Sequence, residues 1–345
     1  MQPLKLIIMS ATMRVTDFTA NSVLFSQPPP VINVDTRQFP VTIHFTKKTN
    51  LRNYVEDAVN KISKIHQGLP AGGILVFLTG QDEIRHMCTK LRERFPAKAI
   101  GRSDEDILKA RVKCLVKQMD MEAEDVDIEH DTDYIEEENQ ESESDESEFE
   151  FGEQGSAAEK APLHVLPLYS LLPVADQLKV FEPPPAGSRL CVVATNIAET
   201  SLTIPGIKYV VDCGRVKERV YDKATGVESF QIGWISKASA AQRAGRAGRT
   251  GPGHCYRLYS SAVFERDFPQ FSEPEILKYP IEGIRLTLFA YHTGIVLQMK
   301  GMHIDKVVNF PFPTPPDRES LRQSEKVCSS CHAYSHIASG VPWHT

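Results

Sequence analysis

The sequence predicts an α/β protein built on a parallel sheet with helices on both faces. Two features predict it: short, continuous Val/Ile/Leu runs that each end at polar residues or glycine, and stretches of helical period between them. The polar residues would then sit at the carboxyl ends of the strands, where open α/β sheets bind ligands. At 345 residues the chain has material for about two domains, or for one enlarged by insertions. No apolar run approaches the ~20 residues of a membrane span, so a membrane partner is not expected.

In chain order, Leu4 to Met9 reads as a strand before Ser10-Ala11-Thr12, and Pro40 to Phe45 alternates as a second. Gly73 to Leu78 leads into Thr79-Gly80 and then into a helix, Gln81 to Phe95, with Ile84, Met87, Cys88 and Leu91 on one face. Asp104 to Met119 repeats that period through Ile107, Leu108, Val112, Leu115 and Val116. Leu190 to Ala194 precedes Thr195-Asn196, and Tyr209 to Val211 precedes Asp212. From Arg215 to Ser236 the residues alternate around Asp222-Lys-Ala-Thr-Gly226, the pattern of a β-hairpin. Pro280 to Tyr291 is amphipathic at helical spacing, and from about Gln323 no period is visible.

The net charge of -6 averages two unlike parts. Between Asp120 and Glu153 there are 18 acidic residues and no Lys or Arg, which leaves the rest of the chain at about +12. The acidic segment, with Glu-Ser-Glu-Ser-Asp-Glu-Ser near its end, cannot bury enough apolar surface to offset its ordering entropy and is expected to be a disordered insertion over about 120–160. The basic remainder suits a polyanionic partner. Seven cysteines, odd in number and mostly set in apolar runs, fit a reducing compartment, and the N-terminus lacks the features of a secretory signal.

The most specific segment is Gln242-Arg-Ala-Gly-Arg-Ala-Gly-Arg-Thr-Gly251. At ~100° per residue on a helix, Gln242, Arg246 and Arg249 share one narrow face while Arg243 points well away. A guanidinium donates in a fixed fork and stabilises spreading negative charge, which suits a phosphate under transfer. Gly245, Gly248 and Gly251 cost helix stability, an expense that makes sense where another surface or ligand approaches the backbone closely.

Here the chain resembles the DEAH-box RNA helicases of helicase superfamily 2. Gln242 to Gly251 is similar to their motif VI, Ala194-Thr-Asn-Ile-Ala-Glu-Thr-Ser-Leu-Thr203 to motif V, Leu75-Val-Phe-Leu-Thr-Gly80 to motif IV, and Ser10-Ala-Thr12 to motif III. The resemblance runs from about Pro3 to Arg322, interrupted by the acidic segment. It implies a RecA-like fold, with ATP and Mg2+ as cofactors and RNA as substrate. It makes Arg246 and Arg249 arginine fingers toward the γ-phosphate, Gln242 a positioner of the attacking water, Phe181 the aromatic stacked on the base, and Thr203 a nucleotide-facing threonine. Where the family usually has Asp two positions after that threonine, this chain has Pro205. For RNA, the resemblance implies contacts at Thr79, Gly80, Tyr169, Ser170, Leu171, Thr195 and Asn196, made through hydroxyls and main-chain N–H groups to the sugar-phosphate backbone. The hairpin resembles the strand-separating element, with Arg219 and Lys223 near its tip.

On that likeness, residues 1–38 are the end of a first RecA-like lobe and its linker, 39–273 the second lobe, 274–322 the start of a winged-helix region, and 323–345 an atypical tail. The phosphate-cradling Gly-x-x-x-x-Gly-Lys-Ser/Thr and the Mg2+-binding Asp-Glu-Ala-His occur nowhere in the 345 residues. The Mg2+ ligands are therefore expected on the first lobe, and this polypeptide alone is expected not to turn over ATP. Cys328-Ser-Ser-Cys331-His332, with His336, has a spacing used by haem and zinc sites, but a spliced or truncated end explains it better, and no metal is expected. The insertion and Arg37 to Phe45 look most like the nucleolar type that acts in small-subunit ribosome assembly. That subtype implies pre-ribosomal RNA, a small nucleolar RNA, pre-ribosomal proteins and an activating protein as partners, and a nuclear, nucleolar location. A splicing helicase, a DNA helicase of the same superfamily and a non-catalytic binding fragment are the alternatives.

Overall fold

The computed structural model describes residues 5–10, 14–33, 39–96, 162–200, 202–221, 228–278, 296, 299–304 and 306–330. The acidic insertion, the Asp104 to Met119 and Pro280 to Tyr291 helices, Ala11 and Thr12, the hairpin tip with Lys223, and Cys331, His332 and His336 lie outside them.

Six strands form one fully parallel sheet in the order β1-β8-β5-β2-β4-β3, where β1 is Val41–Phe45, β2 Gly73–Phe77, β3 Leu163–Leu168, β4 Arg189–Ala194, β5 Ile207–Asp212 and β8 Gly253–Arg257. The α/β class predicted from the buried apolar runs is the class observed. β2 lies inside the sheet, and all five of its residues are buried, which is why it reads as an unbroken Gly-Ile-Leu-Val-Phe run. Its side chains alternate between two cores. Ile74 and Val76 pack with Val193 and Val211 against Ile62 of α1 (Tyr54–Gly68) and Leu91 of α2 (Gln81–Arg94). Leu75 and Phe77 pack with Val192, Ala194 and Val210 beneath Ala244 and Ala247. A single-residue slip would exchange the two sets, so this alternation fixes the register.

Two strands escape the sequence reading. β3 carries Pro167, which reads as a strand breaker but is tolerated because β3 is an edge strand. β8, Gly-His-Cys-Tyr-Arg, is short and mixed, and becomes a strand because β5 and β1 flank it. Conversely, the Leu4 to Met9 strand does not form. Its described part, Lys5 to Met9, is irregular, and Leu6, Ile7 and Met9 are largely exposed. A strand needs a neighbour to take its N–H and C=O groups, and none of the described strands pairs with this one. The stretch that showed no period from Gln323 is helical as far as Ser330, within α5 (Arg318–Ser330), which buries Ser324 and packs Leu321 with Val307.

The predicted hairpin is present as β6 (Arg215–Tyr221) and β7 (Glu228–Trp234), an antiparallel pair that forms its own two-stranded sheet. After it comes α4 (Lys237–Gly245), started by the Ser236 hydroxyl accepting from the Ser239 N–H at 3.1 Å. α4 stops at Gly245, and Arg246–Gly248 continues as a 3-10 turn. The uniform 100° wheel therefore does not extend through Arg249, because a 3-10 turn advances about 120° per residue.

Candidate functional site

Three neighbouring strands, β2, β4 and β3, end side by side, and the chain leaving each carries the residues singled out for RNA. Main-chain bonds extend their alignment past the strand ends: the Leu78 N–H donates to the Ala194 carbonyl at 2.9 Å, and the Thr195 N–H to the Leu168 carbonyl at 3.1 Å. Thr79 and Gly80, Tyr169 to Leu171, and Thr195 with Asn196 are thereby brought into one row. They are not equally available. Ser170, Leu171 and Asn196 are exposed, Leu171 to 83%. Tyr169 is buried in the core under α1 and α2. Thr79 is buried too, and its N–H donates to Glu83 Oε2 at 3.1 Å. The other Glu83 oxygen accepts from the Tyr54 hydroxyl, and burial together with Glu83 raises that phenol further above its ordinary range. Gly80 starts α2 in extended conformation, with Lys217 of the hairpin alongside.

Gln177 of the short helix α3 (Val174–Leu178) pins the second part of the row by donating to the Leu172 carbonyl at 2.7 Å and the Ser170 carbonyl at 3.4 Å. The third part is a 3-10 turn, in which the Ala198 N–H returns to the Thr195 carbonyl and the Glu199 N–H to the Asn196 carbonyl. That turn delivers the chain to Glu199.

Glu199 is where the row meets the arginine segment. Its main-chain carbonyl accepts from Arg246 Nη2, and the Leu202 carbonyl accepts from Arg246 Nη1 at 2.6 Å. Arg246 is only 9% exposed, and its Nε–H is buried with no partner. Burial, and then the charge of Arg249, lower its pKa against the opposing pull of Glu199. Such a guanidinium would gain by meeting an anion. Arg249 is exposed, Gln242 half-buried, and Thr203 exposed beside buried Ile204. Phe181 ends a 3-10 turn after α3 and keeps 38% of its surface exposed, while its neighbour Val180 is fully buried. These residues fit a nucleotide chemically: one open aromatic face, one hydroxyl and two guanidiniums, one with an orphaned donor.

The close approach expected at these glycines is present at Gly248 and comes from another part of the chain. A Cβ on Gly248 would lie 2.5 Å from the Phe39 carbonyl oxygen, so it is the chain entering β1 that needs this glycine, while nothing lies within 4 Å of Gly251.

Arg243 received no role from the sequence beyond pointing away. It does point away, into the core, and is 0% exposed. Its Nη1 donates to Asp212 Oδ1 at 2.9 Å and its Nε to Glu199 Oε2 at 3.1 Å, while the guanidinium lies 4.9 Å from the centre of the Phe77 ring. Burial alone would lower its pKa, but Asp212, Cys213 and Glu199 outweigh that and raise it, so it stays charged. Asp212 also accepts from the Tyr259 hydroxyl at 3.1 Å and the Gly214 N–H at 2.9 Å, and Glu199 from the Ser239 hydroxyl. The signal for this cluster was present: a lone Asp closing the apolar Tyr209 to Val211 run, and an Arg on the alanine face of the next helix.

Among the described residues no three His, Cys, Asp or Glu side chains are grouped to hold a metal, and no helix is long and apolar enough to cross a membrane.

The fold of this six-stranded parallel sheet is that of a RecA-like helicase C-terminal lobe. The family model "Helicase conserved C-terminal domain" matches residues 139–251. Two structures of the Escherichia coli HrpB protein, one described as a DExH-box NTPase and one as a DEAH/RHA helicase, superpose with TM-scores of 0.58 and 0.59 over 90% of this chain at 23% identity, and this chain covers 29% and 30% of theirs. By sequence the chain is similar to ATP-dependent RNA helicases over most of its length. It is 55% identical over 93% of its length to the probable ATP-dependent RNA helicase DHR1 of Saccharomyces cerevisiae, 52% over 94% to the human probable ATP-dependent RNA helicase DHX37, and 42% over 96% to the ATP-dependent RNA helicase DEAH13 of Arabidopsis thaliana. It spans 26%, 29% and 32% of the lengths of those relatives.

Proposed function

We propose that this chain supplies the second RecA-like lobe of an ATP-dependent RNA helicase, gripping single-stranded RNA along the β2-β4-β3 edge and facing the nucleotide with its arginine segment. The observation that carries the reading is the single-residue junction at Glu199. One 3-10 turn separates it from Thr195 and Asn196 in the row, and its own carbonyl holds Arg246.

In this reading Gly80, Ser170, Leu171 and Asn196 meet the sugar-phosphate backbone, and Tyr169, Thr79 and Thr195 set the shape of the row from beneath. Such contacts position a strand without reading its bases. The charge of about +12 outside the acidic segment supports a polyanionic partner. Phe181 and Thr203 would line the nucleotide, and Arg246 and Arg249 its terminal phosphate. ATP bound with Mg2+ supplies the phosphoryl group, the metal ligands being assigned to a first lobe by family likeness. Arg246 leaves the carbonyls of Glu199 and Leu202, or shares its donors with them, when it neutralises phosphate charge. Gln242, about one helical turn before Arg246, would orient the attacking water.

The finer reading places the enzyme in small-subunit ribosome assembly in the nucleolus, on pre-ribosomal RNA paired with a small nucleolar RNA. Pre-ribosomal proteins and an activating protein would accompany it. It is supported by the acidic insertion and the Arg37 to Phe45 sequence. Fluorescence anisotropy of the chain with labelled single-stranded RNAs tests the first claim: binding should be indifferent to base sequence and weaken with added salt. Absence of binding at low salt would refute it. RNA crosslinked to the protein in cells tests the second, and recovery of spliceosomal in place of pre-ribosomal RNA would reassign it to splicing.

A further inference from the structure

The β6–β7 hairpin is paired only with itself among the described strands. A lone two-stranded ribbon is marginal in water, so its direction must be set where it joins the body. At that base the Ile235 N–H closes onto the Gly214 carbonyl at 3.0 Å, and Arg215 lies 4.5 Å from the centre of the Trp234 ring. The decisive contact comes from elsewhere in the chain. Arg243 Nη1 and Nη2 both donate at 3.3 Å to the main-chain carbonyl of Arg215, the first residue of the hairpin.

The same guanidinium holds Asp212, which ends β5 and accepts the Gly214 N–H, and Glu199, whose carbonyl holds Arg246. One planar group thus spends donors on the strand before the hairpin, on the hairpin itself and on the turn that clasps the next arginine. Its rigid fork matters here, because an ammonium of equal charge cannot reach all three with fixed directions. Arg246 lies three residues further along the same segment.

We propose that Arg243 is a positioning residue that ties the β6–β7 hairpin to the segment bearing Arg246 and Arg249, so that displacement of one carries the other. The functional meaning rests on the reading given above, in which the arginines face nucleotide and the row beside the hairpin faces RNA. The mechanical link itself does not.

Hydrogen exchange measured by NMR on the 345-residue chain tests the link. In Arg243→Lys, which keeps the charge, protection at Gly214, Ile235 and the hairpin amides should fall at least tenfold, while Val76 and Val193 in the central strands change less than twofold. Uniform loss across hairpin and central strands would show Arg243 to be ordinary core support and overturn the proposal, as would unchanged hairpin protection. Should the variant not fold, the unaltered protein decides. The Arg243 Nε–H and the amides of Gly214 and Ile235 should then open with one shared equilibrium constant, and unrelated rates would overturn the proposal. Anisotropy with single-stranded RNA on the same samples should show about tenfold weaker binding in Arg243→Lys. If the unaltered chain binds no RNA, the functional reading falls while the exchange data still decide the link.

Discussion

At the ends of β2, β4 and β3 the chain leaves Ser170, Leu171 and Asn196 in solvent, whereas at the end of β5 it seals Asp212 beneath Arg243 and Tyr259. Both places are the carboxyl edge of one parallel sheet, and both are polar. In the first, main-chain groups and small side chains are held in a row by bonds behind them, and their free sides face outward. In the second, donors and acceptors are matched to one another, and nothing is left for a ligand. The difference teaches that polarity at a strand end does not by itself mark a binding position. What marks it is where the hydrogen bonds go.

Removing the centre of the sealed half should produce the largest effect. Asp212→Ala leaves a buried guanidinium with one carboxylate fewer and takes the acceptor from the Tyr259 hydroxyl and the Gly214 N–H. Breaking a buried pair from one side costs roughly 3–5 kcal/mol. Urea unfolding should therefore show a midpoint lowered by most of the domain's stability, and a loss below about 1 kcal/mol would mean that the network is far more open to water than its burial states.

Gly214→Ala should rank next. The residue has φ of +71°, and an added Cβ would come within 2.5 Å of the Tyr259 ring, itself fixed by Phe268 and Asp212. Left-handed backbone and overpacking together cost about 2–4 kcal/mol. The damage should concentrate at the hairpin base, so proteolysis within the hairpin should quicken more than global unfolding does.

These sealed contacts also show which parts of the molecule could be read in advance. β2 and β4 are buried on both sides and so carry a sequence signal of their own, as does the alternating hairpin. β3 and β8 do not, since one holds a proline at an edge and the other owes its strand conformation to its neighbours. The candidate row was legible because it follows readable strands, although the sequence could not reveal that Thr79 has its N–H committed to Glu83 and that Tyr169 faces the core. Arg243 was legible as a direction and not as a role. Its partners, Asp212 and Glu199, lie 31 and 44 residues away, and only the parallel order of β4, β5 and β2 brings them under α4.

On the open half the expected effects are smaller and of another kind. Asn196→Ala and Arg249→Gln alter exposed side chains, so thermal unfolding should move by no more than about 0.5 kcal/mol. Asn196→Ala should nevertheless weaken single-stranded RNA binding roughly fivefold, corresponding to about 1 kcal/mol for one lost hydrogen bond. Arg249→Gln should leave RNA affinity in the absence of nucleotide unchanged. If both variants lower RNA affinity equally, the division between an RNA-facing row and a nucleotide-facing segment is wrong.

The smallest effect belongs to a third place, a histidine pair on β1 and β8. His44 on β1 lies with Nε2 3.2 Å from Nδ1 of His254 on the adjacent β8, and its ring stacks on Tyr256 at 4.6 Å. Burial first, then His254 and Lys61, lower its pKa below the ordinary histidine value of 6.5. Between the lowered folded value and the ordinary unfolded one, the unfolded chain binds more protons, so stability rises with pH in that window and falls as pH drops below about 6.5. His44 remains partly open to solvent, which screens the effect and keeps it small. The urea midpoint should decline modestly from pH 7.5 to 5.5 in the unaltered chain and decline less in His44→Gln. Equal declines would remove His44 as the cause. Because His44 meets His254 and Tyr256 and no group of the Asp212 network, hairpin exchange at a fixed pH should be the same in both proteins, and a difference there would show that the sealed half reaches further across the sheet than its hydrogen bonds indicate.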